Sequence, residues 1–103
     1  MSARVVLSPQ AERDADDIAA YIAIDSLDTA LRFYEAVWET LERLASAPDI
    51  GRVRELPHPG LVGLRSVSIE GFRPFLVFYV HAGDVVRVLR VLHGAREIDS
   101  QLP

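Results

Sequence analysis

The chain has 103 residues, which suits one domain spanning 1–103 and leaves no room for a second of ordinary size. Half of its residues are apolar and a quarter are charged, a globular composition that excludes a disordered or collagen-like chain. It contains no cysteine, so disulfides and thiolate metal sites are excluded, and a reducing compartment, the cytoplasm, is the expected setting.

Charge is unevenly spread. A net −4 argues against a general or sequence-specific nucleic-acid binder, because phosphate contacts need clustered positive charge. Residues 1–50 carry ten acids and four arginines, whereas residues 51–103 carry seven arginines and five acids; an anionic target would meet the C-terminal half. Every basic side chain is arginine, which suits bidentate recognition and excludes any mechanism that needs a lysine. No segment reaches the roughly 20 apolar residues of a membrane span, and the acid-rich start lacks a signal-peptide run. The expectation is a soluble chain with no membrane partner.

Along the chain, Arg4-Val5-Val6-Leu7 is a short β-type run, and Ser8-Pro9 supplies a helix cap and a first helical residue. Ala11, Ala15, Ile18 and Ile22 then recur at helical spacing, which predicts a helix over about 9–24 with one buried stripe. Asp25-Ser26 offers a break and a second cap. Ala30, Phe33, Val37, Leu41 and Leu44 predict a second helix over about 27–46, ended by Pro48 and Gly51. The link is short, so the two helices should form an antiparallel hairpin.

Residues 48–63 contain three prolines and three glycines and read as one irregular connection. Beyond it the period changes. Leu64–Ile69, Pro74–Val80 and Val85–Leu92 are β-branched or aromatic runs separated by turn residues, as in an antiparallel meander. The run Phe75–Val80 is apolar at both parities, so it should be a central strand with both faces covered. Two helices cover one face of such a sheet; the other is left to loops, the tail or a partner polypeptide. The expected fold is α+β, in the order β-α-α-β-β-β, with a helical hairpin on one face of a small antiparallel sheet.

Few constellations carry chemistry. Asp14 and Asp17 would share a helix face, but acids in the first turns of an exposed helix complement its dipole, and no metal is expected there. His58, His81 and His93 lack helical metal-pair spacing, and the scattered glycines form no phosphate loop, so no cofactor is expected. What remains is the last strand and its exit. Strict alternation puts Arg87 and His93 on one face and Arg90 on the other, either as edge decoration or as an anion or partner site.

The stretch Val91-Leu92-His93-Gly94-Ala95-Arg96-Glu97-Ile98 resembles the ending of ParE-type toxins in the RelE/ParE superfamily of type II toxin–antitoxin systems. Leu7-Ser8-Pro9-Gln10-Ala11 is similar to the family's strand-to-helix turn, Pro48-Asp49-Ile50-Gly51-Arg52 to its helix exit, and Pro59-Gly60 through Leu64-Arg65 to its approach to the next strand. The resemblance implies the same β-α-α-β-β-β fold and a ParD-like antitoxin in a hetero-oligomeric complex. It implies DNA gyrase as the target, with no catalytic residues. RelE-like members instead cleave messenger RNA on the ribosome. The absence of lysine, the negative charge and the lack of an aromatic residue after Tyr79 depart from that pattern. In the RelE-type alternative, His93 would act as a base beside Arg65, Arg73 or Arg87. A third alternative is a non-toxic module that only binds the antitoxin. Candidate contacts to target or antitoxin are Arg65, Arg73, Arg87, Arg90, His93 and Arg96.

Overall fold

The computed structural model describes residues 2–55 and 59–94. Strand β1 (Arg4–Leu7) leads into α1 (Pro9–Asp25) and α2 (Leu27–Ser46). Then follow β2 (Arg52–Val53), a single 3-10 turn (Pro59–Leu61), β3 (Arg65–Ile69), β4 (Phe72–Ala82) and β5 (Val85–His93). Among these residues the order matches the expected β-α-α-β-β-β, with one addition. The two-residue β2 pairs antiparallel with β3 inside the connection read as irregular; a strand that short shows no periodicity.

Both helices begin where the hydroxyl caps predict. Ser8 Oγ accepts from the Ala11 N–H at 3.0 Å and donates to the Leu89 carbonyl at 2.8 Å, tying the start of α1 to β5. Ser26 closes α1 through its own N–H and opens α2 by accepting from the Thr29 N–H at 3.1 Å. A one-residue link forces the helices back on each other as a hairpin.

The sheet has five strands in the order β1-β5-β4-β3-β2. The meander β3-β4-β5 is antiparallel as expected, while β1 runs parallel to β5, so the sheet is mixed. The parallel pair is possible because the chain crosses from β1 to β5 through two helices and the whole meander. Strand β4 lies in the middle of the order, and its two faces enter two apolar clusters. Val77 and Tyr79 pack with Ala11, Ala15, Phe33, Val37 and Leu44 under the helices. Phe78 packs with Leu61, Leu64 and Leu92 on the opposite face. Leu61 of the 3-10 turn and Leu64 thus cover part of the face that the sequence left open.

Phe33 sits at the centre of the helix-side cluster, edge-on to Phe72 and Phe75 with ring centroids 5.2 and 5.8 Å away. Pro74, which has no N–H for the ladder, lies where β4 slips against β3: Ser68 pairs with Leu76, but Ile69 pairs with Phe72. Among the described residues no helix is long and apolar enough to cross a membrane.

Candidate functional site

A β-bulge decides which residues meet at the end of β5. Phe78 pairs with Arg90 and Tyr79 with Val88, so Leu89 is an extra residue in β5. Up to that point Val86 and Val88 face the helices; beyond it Val91 does, three residues on, while Leu89 and Leu92 share the opposite cluster. Strict alternation therefore fails. Arg87 lies on the far face with Val80, Ala82 and Leu89 and Arg90 on the helix side, as alternation expects, whereas His93 joins Arg90 on the helix side instead of Arg87 on the far one.

Arg90 meets Asp14 of α1. The Asp14 carboxylate accepts from Arg90 Nε at 2.7 Å, Arg90 Nη2 at 3.0 Å, the Val91 N–H at 3.0 Å and Gln10 Nε2 at 3.0 Å. Asp14 is 8% exposed; it is not the solvated helix-face acid that its sequence position suggested. Burial pushes its carboxyl up, but the hydrogen bonds from Arg90, Gln10 and Val91, with the Arg90 charge, outweigh this and hold it below the usual carboxylate value. Both its oxygens are committed, so it is no cation ligand.

Beside this pair lies a cleft of about 350 Å³, lined by Asp17, Ile18, Phe75 and His93 as well as by Asp14 and Arg90. His93 stands edge-on to Phe75 at 5.3 Å. Its Nδ1 is buried and has no hydrogen-bond partner among the described residues.

Arg65 belongs elsewhere. Its Nη1 donates to the carbonyls of Asp49 and Gly51 at 3.1 and 2.9 Å, holding the exit of α2 against β3. Tyr79 accepts from the Gly51 N–H at 2.9 Å, and His81 Nδ1 lies 2.8 Å from Asp49 Oδ1. The His81 hydrogen bond lowers the exposed Asp49 carboxyl, and burial raises the Tyr79 phenol. A Cβ on Gly51 would fall 2.5 Å from Tyr79 Oη and 2.9 Å from the Ser66 carbonyl, so glycine is required there.

Of the five candidates among the described residues, Arg90 and His93 are the two that line one cleft. Arg65 is a loop clamp, Arg73 and Arg87 are exposed on β4 and β5, and Arg96 lies outside the described residues, as does His58. None of Arg65, Arg73 and Arg87, the arginines expected beside His93 in the RelE-type alternative, lines the His93 cleft.

The sequence reading also missed a surface. Leu27, Leu31, Tyr34 and Trp38 are 67, 55, 41 and 66% exposed and follow one another by four, three and four residues along α2. Tyr34 Oη donates to Asp16 Oδ1 at 2.7 Å, which pushes its pKa up to about 12 and keeps it a donor. Trp38 borders a notch of about 220 Å³ with Val5 and Leu7 of the edge strand β1 and with Leu41, Glu42 and Ala45. The signal was present as a second apolar line beside the core line Ala30, Phe33, Val37, Leu41 and Leu44.

The family model for the ParE toxin of the type II toxin–antitoxin system parDE matches residues 5–98. The chain belongs to the ParE toxin family. Among solved structures it is similar to a chain of the chromosomal ParDE TA system from P. aeruginosa, with a TM-score of 0.71 at 21% identity over 90% of this chain and 97% of that one. A search of curated proteins found no match. The ParE-family match runs from β1 to Ile98, past the last described strand, and so includes the His93-Gly94-Ala95-Arg96 ending.

Proposed function

We propose that this ParE-family chain is a toxin that poisons DNA gyrase and is held inactive by a cognate ParD-type antitoxin. The observation that carries the reading is the family match over residues 5–98. The disposition of the candidate side chains supports it. Arg65 and Arg90 are engaged in structural contacts, and His93 and Arg87 sit on opposite faces of the sheet, an arrangement unsuited to acid–base cleavage of a phosphodiester. The exposed Arg73 and Arg87, with Arg96 beyond the described residues, are the target-contact candidates.

Controlled expression without the antitoxin tests the reading. The expected result is growth arrest with induction of the DNA-damage response, intact translating messages and rescue by coexpression of a cognate ParD-type antitoxin. Arg96→Ala should weaken the arrest more than Arg13→Ala on α1. Absence of arrest would leave only an antitoxin-binding module; rapid ribosome-dependent message cleavage would place the chain with RelE-type endonucleases.

A further inference from the structure

We propose that the sheet face turned away from the helices meets the toxin's target by seating a polypeptide segment, apolar along its middle and edged by Asp or Glu, in the groove beside Arg87 and Arg4. This rests on the reading of the chain as a toxin whose target is gyrase, and it states which face the target meets and which chemistry it brings.

Charge pairing is the first ground. None of the five strands contains an aspartate or glutamate, so acids reach the sheet only from other elements. On the helix side they do: Asp14 meets Arg90, and Asp49 meets Arg65. The far side holds Arg87 and, by alternation from Val5 and Leu7 under the helices, Arg4. Arg52 joins them, because it lies opposite Ser66, which in turn lies opposite Phe78. Arg54 follows, its guanidinium 5.9 Å from the Phe78 ring centroid and its Nε donating to Ser66 Oγ at 2.7 Å. Among the described residues none of these four arginines pairs with a carboxylate. The far face is therefore basic, although the whole chain is acidic.

Shape selects the occupant. Leu61 and Leu64 pack over Phe78 and Leu92. Beside that cover a groove of about 310 Å³ stays open, lined by Gly60, Val80, Ala82, Val85, Arg87 and Leu89. Val6 lies opposite Arg87 on β1, so the apolar lining ends at two exposed arginines, Arg87 and Arg4. An apolar middle with a charged rim is the anatomy of a protein interface. A phosphodiester backbone would leave the apolar lining unused, and the same face of a second copy would bring arginine against arginine; an acid-edged segment is complementary to both features.

The test measures binding of the full chain to purified gyrase holoenzyme, without DNA, by biolayer interferometry at low and high salt. The expected result is binding that weakens as salt rises. Arg4→Glu with Arg87→Glu should weaken it roughly tenfold or more at low salt and flatten its salt dependence. Ala82→Asp, at an exposed position of the groove, should weaken it at both salt concentrations, and Arg13→Ala on α1 should leave it unchanged. Circular dichroism verifies that each variant is folded. Gyrase binding that survives both the charge reversal and Ala82→Asp overturns the docking inference while the gyrase reading stands. Binding that needs added DNA makes a nucleic-acid backbone the occupant, and self-association lost in the charge-reversed chain makes it a second copy; either overturns the inference. Antitoxin binding weakened as much as gyrase binding assigns the groove to the antitoxin and overturns it as well. No binding of the unaltered chain to gyrase, with or without DNA, overturns both readings.

Discussion

Asp14 shows how one side chain can fix a strand end. It is buried against β5 and accepts four hydrogen bonds, so removing its carboxylate strands the Arg90 guanidinium in a site where only 15% of that side chain is exposed. Asp14→Ala should cost about 3–5 kcal/mol by urea denaturation, and Asp14→Ala with Arg90→Met should recover much of the loss. The folded carboxyl lies below its usual value. Its stabilising contribution is therefore complete above the unfolded value of about 3.9 and is lost as pH falls toward the lowered folded value. Wild type and Asp14→Asn should converge in stability on acidification through that window. Gly51→Ala should cost about 1–3 kcal/mol, because the added Cβ meets Tyr79 and the Ser66 carbonyl; thermal melting reads the loss. Neither residue was legible in the sequence as more than a helix acid and a helix-ending glycine. Asp14 meets a partner 76 positions away, and Tyr79 meets Gly51 across 28, separations that local patterns do not report.

At the scale of elements, the helices were readable because each signal is local. The caps Ser8 and Ser26 lie within three residues of the N–H groups they satisfy, and the core line of α2 repeats every three or four residues. Ser26→Ala should lower the urea midpoint by the equivalent of about 1 kcal/mol without changing the slope, since one cap is lost and the packed core is untouched. The meander was readable for the same reason, including the two-sided burial of β4. The bulge at Leu89 was not. One extra residue reverses the faces of Val91, Leu92 and His93, and no composition cue in Val88-Leu89-Arg90-Val91 marks where it falls. That single insertion separates Arg87 from His93 and joins His93 to Arg90. The parallel pairing of β1 with β5 was equally hidden, because it depends on how the whole meander closes back on the first strand.

Across the whole molecule, the acid-rich N-terminal half becomes the helical hairpin, and the arginine-rich half becomes most of the sheet. The sequence left the second sheet face to loops, the tail or a partner, and Leu61 and Leu64 pack onto it. The large exposed side chains are instead concentrated on the helical hairpin, at Tyr21, Ile24, Leu27, Leu31, Tyr34 and Trp38. Purified gyrase tests the central claim most directly. Adding the chain to gyrase, ATP and relaxed plasmid should stop supercoiling and accumulate gyrase-linked double-strand breaks, and adding the antitoxin should restore supercoiling. Undisturbed supercoiling, together with ribosome-dependent cleavage of messages that His93→Ala abolishes, would contradict it.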